Sequence, residues 1–159
     1  MNGSLEVHFV DNGNTNMTKL EKIKTIKTCL EDGNPSIHTK SNHGRLWNYL
    51  VFNDDLYLVF KDEKYDESEE IVKDLKSYPK FTIYASKPES SHRYDEFNAT
   101  INGEAKFVND LSLIKEFLKS KPDIAKYYDI YKYKFFFAKV EKLEAKIQRI
   151  IKEETKFDW

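Results

Sequence analysis

Residues 97–108 show the clearest alternation of apolar and polar side chains in the chain and predict a long β-strand. The apolar positions are Phe97, Ala99 and Ile101 before Gly103, and Ala105, Phe107 and Val108 after it. A glycine inside a strand marks a bend or a bulge, because it allows the backbone to deviate from regular pairing. One bent strand of this length favours a small closed sheet. Two ordinary strands joined at the glycine are the alternative.

Several segments carry helix signals. Thr18 and Glu21 have the spacing of a capping box, apolar residues then recur at helical period, and Gly33 stands where a C-terminal cap is expected. We therefore predict a helix over about 19–31. We also predict a short helix that begins in the acidic segment 66–70 and ends near residues 78–79, a helix over 111–118 capped by Asp110, and a further short helix from Pro122 to 127 or 128.

Short runs rich in aromatic and β-branched residues predict the remaining strands, at 5–10, 36–40, 46–52, 56–60, 81–85 and 134–140. Residues 41–44 and 53–55 have turn composition. The strands at 36–40, 46–52 and 56–60 are expected to form an antiparallel meander. Residues 143–151 fit either a helix or a final strand.

Composition restricts the class of protein. A chain of 159 residues fits one domain. Cys29 is the only cysteine, so an intramolecular disulfide is excluded. Residues 1–6 do not resemble a signal peptide, and no apolar run approaches the roughly 18 residues of a membrane span. These features predict a cytoplasmic protein without a membrane partner.

Charge and histidine positions argue against two further classes. The 26 Lys and Arg nearly balance the 27 Asp and Glu, so we expect no nucleic-acid partner, although residues 126–135 interleave bases with aromatic residues. The four histidines lack the spacing of a metal site, and no metal is expected. His38 and His43 flank one turn, where an acid/base or haem-contacting role is an alternative to ordinary strand and turn positions.

Four runs in order resemble the pyridoxamine-phosphate-oxidase-like, FMN-binding split-barrel superfamily, especially its small general-stress and nitroimidazole-resistance-related members. The runs are residues 56–60, 72–79, 81–84 and 101–110, and the resemblance spans about residues 18–140. Its most specific part is Gly103-x-Ala105 followed by Asp110, with Pro79 upstream. Each motif alone is weak, so the order and spacing carry the resemblance.

The resemblance implies a mainly β fold with flanking helices, namely a six-stranded antiparallel split β-barrel. It implies a single domain over 1–159, with an N-terminal extension at 1–16 and a C-terminal tail at 141–159. It also implies a homodimer that binds FMN at the dimer interface and transfers electrons or hydride to a small-molecule acceptor. A flavin-free binding or interaction protein, or a haem-binding relative, is the alternative function.

The expected phosphate site departs from the family pattern. The positions at which the family commonly has Ser or Thr, Arg and Lys fall near Glu69, Glu70 and Ile71, and two carboxylates there disfavour a phosphate. Its Arg-Pro position matches the segment 47–49, which reads Trp-Asn-Tyr.

Other residues are predicted to replace the missing contacts. The replacement cations are Lys61, Lys64, Lys73 and Arg45, and the hydrogen-bonding groups are Thr39, Ser41 and Asn48. Trp47 is the candidate for covering the flavin ring. Alternatively, these lysines belong to a solvated face, and Trp47 and Tyr49 are core or dimer contacts.

Overall fold

The computed structural model describes residues 17–46, 48–62, 68–87, 96–122, 126, 134–149 and 154–159. The predicted strand at 5–10, the candidate residues Trp47 and Lys64, and most of the helix expected from Pro122 lie outside these ranges; of that helix, residues 122 and 126 are described and are helical. In the described part, no helix is long and apolar enough to cross a membrane.

The described residues form three helices and eight strands. The helices are α1 (Lys19–Asp32), α2 (Ser68–Ser77) and α3 (Leu111–Ser120). The strands are β1 (Ser36–His38), β2 (His43–Arg45), β3 (Asn48–Phe52), β4 (Asp55–Asp62), β5 (Lys80–Lys87), β6 (Phe97–Phe107), β7 (Lys134–Arg149) and β8 (Glu154–Asp158).

The strands form one curled antiparallel sheet in the order β2-β1-β5-β6-β7-β4-β3, and β8 pairs with β7. The two ends of this path, β2 and β3, follow each other in the chain and are separated by residues 46 and 47. This opening is called the split below. The predicted antiparallel split barrel with flanking helices is confirmed, but the described sheet has eight strands instead of six.

The two additional strands explain the difference in strand number. β2 lies largely within residues 41–44, which were predicted as a turn, and it is a strand because it pairs with β1 through Ile37 and Gly44. β8 pairs with the second half of β7. Residues 143–149 are therefore strand, which resolves the choice between helix and strand.

The predicted meander is only partly correct. β3 and β4 form the expected hairpin, whose turn is closed by Asn53 and Asp54, both with positive φ (50° and 63°). β1, however, pairs with β2 and β5, not with β3. The short strand β2 occupies the edge of β1 that the meander would have used.

Residues 97–107 form one continuous strand, so the alternative of two strands joined at Gly103 is wrong. The irregularity lies one residue later and places its additional residue on the partner strand. Glu104 pairs with Lys142 and Ala105 pairs with Val140, which leaves Glu141 of β7 unmatched. This bulge is the bend that the sequence pattern predicted.

The bulge keeps both halves of β7 in register with the core. Ala138 and Val140 are buried before the bulge, and Leu143, Ala145 and Ile147 are buried after it. The positions that face the barrel core are even-numbered before residue 141 and odd-numbered after it, whereas Phe137 is buried on the other face, against α3. One additional residue is needed to turn both sets inward.

Gly103 is required by packing rather than by its backbone angles. A Cβ atom at this position would lie 2.6 Å from Cζ of Phe81 and 2.5 Å from the carbonyl oxygen of Lys142. The Phe81 ring occupies the space that a side chain would need.

The helices cover the barrel as their caps and apolar faces predict. α1 has the predicted capping box between Thr18 and Glu21 and ends at Gly33. α2 packs against β2, β4 and β6. α3 is capped by Asp110 and buries Phe117 on the outside of the sheet, against Tyr57 and Phe137.

Candidate functional site

The split brings three of the predicted cofactor-binding residues into one region. Arg45 ends β2 and Asn48 begins β3. Because they are three residues apart in the chain, their Cα atoms lie at most about 11 Å from each other. Asn48 pairs with Val59 of β4, and Lys61 follows two residues later on the same outward face. Asn48 and Lys61 are therefore diagonal neighbours on paired strands, a position in which Cα atoms are about 7–8 Å apart.

Thr39 lies in the turn between β1 and β2, where Asp74 of α2 binds it. Its hydroxyl donates to Oδ2 of Asp74 (2.7 Å), and the same oxygen accepts from the Ser41 backbone N–H (2.9 Å) and from Nδ2 of Asn42 (3.0 Å). The hydrogen bond from Thr39, followed by that from Ser41, lowers the pKa of Asp74. This carboxylate therefore already takes the donors that a phosphate would use.

Lys73 lies on α2 close to Glu69 and Glu70, the two carboxylates that disfavour a phosphate in the sequence analysis. Its Nζ is 3.8 Å from Oε1 of Glu69 and 3.5 Å from Oε1 of Glu70. All three side chains are well exposed, so the ion pairs are weak, but they leave this turn of the helix with a net negative charge.

Tyr49 has a structural role in this chain. Its hydroxyl donates to Oε1 of Glu31 on α1 (2.8 Å). Burial, and next the hydrogen bond to Glu31, raise the pKa of the Tyr49 phenol. Nζ of Lys121 lies 5.6 Å from the Tyr49 ring centroid. This residue therefore ties β3 to the helices, as its packing alternative predicts.

The histidine pair lies on the outer face of β1 and β2. His38 and His43 are partners in register, with ring centroids 5.3 Å apart, and the Tyr84 ring meets His38 edge-on at 5.0 Å. Among the described residues, no group of three or more His, Cys, Asp or Glu side chains is arranged to hold a metal. Burial raises the pKa of the Cys29 thiol to about 11, so the thiol is protonated at neutral pH.

A groove that the sequence did not predict lies between α2 and the bulge of β7. Its volume is about 750 Å³. Leu75 and Ala105 form a buried floor, Phe107 forms a half-buried wall, and Lys76 and Lys142 stand at the rim. We call it the α2–bulge groove. None of the five predicted cofactor-binding residues that the structure describes lines it, and no local motif marks it, because distant segments of the chain create it.

The residues at the split fit a flavin phosphate only in part. Arg45 and Lys61 supply cationic side chains, and Asn48 supplies an amide donor. Thr39 and Lys73 fit less well, because carboxylates of this chain already bind them.

Comparison with known proteins gives structural relatives only. No protein-family model and no curated protein sequence matches the chain. A NimC/NimA family protein from Clostridium acetobutylicum superimposes with a TM-score of 0.67 at 15% identity, over 96% of each chain. A protein from the same organism related to general stress protein 26 of B. subtilis, of the pyridoxinephosphate oxidase family, gives a TM-score of 0.53 at 14% identity, over 89% of this chain and 96% of that chain. At such identities the similarity establishes the fold.

Proposed function

We infer from the pyridoxamine-phosphate-oxidase-like split-barrel fold of this chain that it binds FMN at the split and transfers electrons or a hydride to a small acceptor. The observation that supports the proposal is the position of Arg45, Asn48 and Lys61 on neighbouring strands where β2 and β3 separate. A second copy of the chain is proposed to cover the cofactor in a homodimer.

Each of the three residues has a distinct role in this proposal. An FMN phosphate carries close to two negative charges, which the Arg45 guanidinium and the Lys61 ammonium offset. The Asn48 amide donates a hydrogen bond to the phosphate or the ribityl chain. The bound isoalloxazine ring supplies the redox chemistry. Trp47, next to Asn48 in the chain, remains the predicted cover of the ring.

A flavin-free split-barrel binding protein is the second candidate, and the charges on α2 favour it. Glu69 and Glu70 stand where the family has cations, and Asp74 takes the hydrogen-bond donors of the β1–β2 turn. These carboxylates repel an approaching phosphate, so this function applies if the cations at the split are insufficient.

An absorbance spectrum of the purified protein and an FMN titration test the proposal. We expect a flavin spectrum, and a roughly tenfold weaker affinity for FMN in Arg45→Ala and in Lys61→Ala, because each loses a charge-assisted contact. Lys115→Ala, which changes an exposed lysine on α3, is the matched control and should bind as the wild type does. Colourless protein that does not bind added FMN would overturn the flavin proposal in favour of the second candidate.

A further inference from the structure

We propose that the α2–bulge groove binds a planar aromatic carboxylate. The groove is separate from Arg45, Asn48 and Lys61, so this inference goes beyond the flavin proposal and does not depend on it. Three properties of the groove carry it: an apolar floor with an aromatic wall, lysines that have no carboxylate partner among the described residues, and a volume suited to a small molecule.

The floor and wall suit a flat apolar group. Leu75 and Ala105 are each only 2% exposed, so their surface is continuous with the core. The Phe107 ring is half-buried and packs against Phe60 and Phe136, with centroids 6.3 and 6.1 Å apart. A ring supported in this way offers a fixed face or edge to a second aromatic ring.

Lys76 is positioned to meet an anionic group on the same ligand. Its Nζ lies 5.8 Å from the Phe107 ring centroid and 5.0 Å from that of Phe136. Among the described residues its ammonium group forms no ion pair, unlike that of Lys73 one turn earlier. The ammonium group therefore lies beside the aromatic wall, where the carboxylate of a ring bound in the groove can reach it.

The other charges at the rim also favour an anion. Lys106 has no carboxylate partner among the described residues, whereas Lys142 lies 3.5 Å from Oε2 of Glu104. Glu141, the bulge residue, is the second carboxylate of the lining. Three lysines and two glutamates thus line the groove, which leaves it with a net positive charge for a carboxylate.

The size of the groove limits the ligand to a small molecule. Sites for such ligands are typically about 300–1,000 Å³, and the volume here is about 750 Å³. A ring of one or two fused cycles occupies the apolar part, and one carboxylate reaches Lys76. A neutral aromatic compound leaves the lysine charge unused, and an aliphatic acid leaves the aromatic wall uncovered.

Calorimetric titration of the full chain with naphthoate, and with the neutral naphthamide of the same shape, tests the inference. We expect naphthoate to bind and naphthamide to bind about fivefold more weakly, since a partly exposed ion pair contributes modestly. Lys76→Met should lower the affinity for naphthoate about fivefold and leave that for naphthamide unchanged. Lys76→Arg should restore naphthoate binding, and Lys115→Met on α3 is the matched control.

The inference is overturned if naphthoate does not bind saturably, if acid and amide bind equally well, or if folded Lys76→Met binds naphthoate as the wild type does. Arg45→Ala separates the two proposals, because it should weaken FMN and leave naphthoate binding unchanged. If FMN competes with naphthoate and Lys76→Met weakens both, the groove is the flavin site, and the proposal of a separate site is overturned.

Discussion

A single carboxylate oxygen of Asp74 organises the turn between β1 and β2. It accepts three hydrogen bonds from residues 39, 41 and 42, which attaches α2 to the barrel edge. The sequence predicts Thr39 and Ser41 as cofactor contacts, because their hydroxyl groups suit a phosphate. The acceptor that takes the hydroxyl of Thr39 lies 35 residues further along the chain, and no local pattern reveals such a contact.

The lowered pKa of Asp74 predicts a pH-dependent contribution to stability. The folded state favours the ionised carboxylate, so its contribution is complete above the usual pKa of 3.8 and disappears as pH falls through the lower folded value. Asp74→Asn should be less stable than the wild type at neutral pH and lose less stability on acidification. Urea unfolding from pH 7 downwards measures both effects.

Thr39→Val is the matched variant for this prediction, because it removes the largest single cause of the lowered pKa and keeps the carboxylate. The pH dependence of its stability should lie between those of the wild type and Asp74→Asn. If the stability of Asp74→Asn falls with pH as steeply as that of the wild type, other groups control the loss of stability in acid.

At the scale of the elements, the bulge in β7 decides which side chains enter the core. Between Ala138 and Arg149 of β7, Glu141 is the one residue that the pairing with β6 skips, and the positions that face the barrel core change parity across it. The 16-residue strand β7 can therefore turn apolar side chains towards the core both before and after the bulge. The bulge also borders the α2–bulge groove, which Glu141 and Lys142 line.

Deletion of Glu141 should therefore be far more damaging than its substitution. Without this residue, Leu143, Ala145 and Ile147 turn to the outer face, or the earlier half of β7 does. We expect the deletion variant to lose cooperative thermal unfolding by circular dichroism. Glu141→Ala keeps the residue count and should stay within about 0.5 kcal/mol of the wild type. A deletion variant with the wild-type melting temperature would refute this account.

The elements that sequence predicts well are those with local signals. The capping box of α1, Asp110 before α3, and the turn at Asn53 and Asp54 each involve neighbouring residues. β2 and β8 are short and depend on partners for their identity, so their composition does not mark them. The pairing of β1 with β5 also depends on a distant partner, so no local pattern predicts it.

The whole molecule presents an exposed outer face on β1, β5 and β6. Tyr84 is 49% exposed there, next to His38, and Thr82 donates to Asn102 (2.6 Å). Tyr78 nearby is 42% exposed. A sheet face that combines aromatic rings with satisfied polar groups suits contact with a second copy, as the proposed homodimer requires.

We therefore expect the mass of two chains by sedimentation equilibrium. Tyr84→Lys places a charge in the proposed interface and should shift the equilibrium towards one chain. Leu111→Lys is the matched control, because Leu111 is 73% exposed on α3, away from this face, and its substitution should leave the mass unchanged. A single-chain mass for the wild type with FMN bound would contradict an interface site.

The pairing of β7 has a consequence for the time at which the fold can be completed during synthesis. Tyr57 of β4 pairs with Lys139, and Ala99 of β6 pairs with Ile147, so both strands leave the ribosome long before their common partner. Until β7 emerges, the apolar run 56–60 has an unpaired edge of the kind that promotes aggregation. The nascent chain is therefore most vulnerable between the synthesis of β6 and that of β7, which is when a chaperone would be of most use to it.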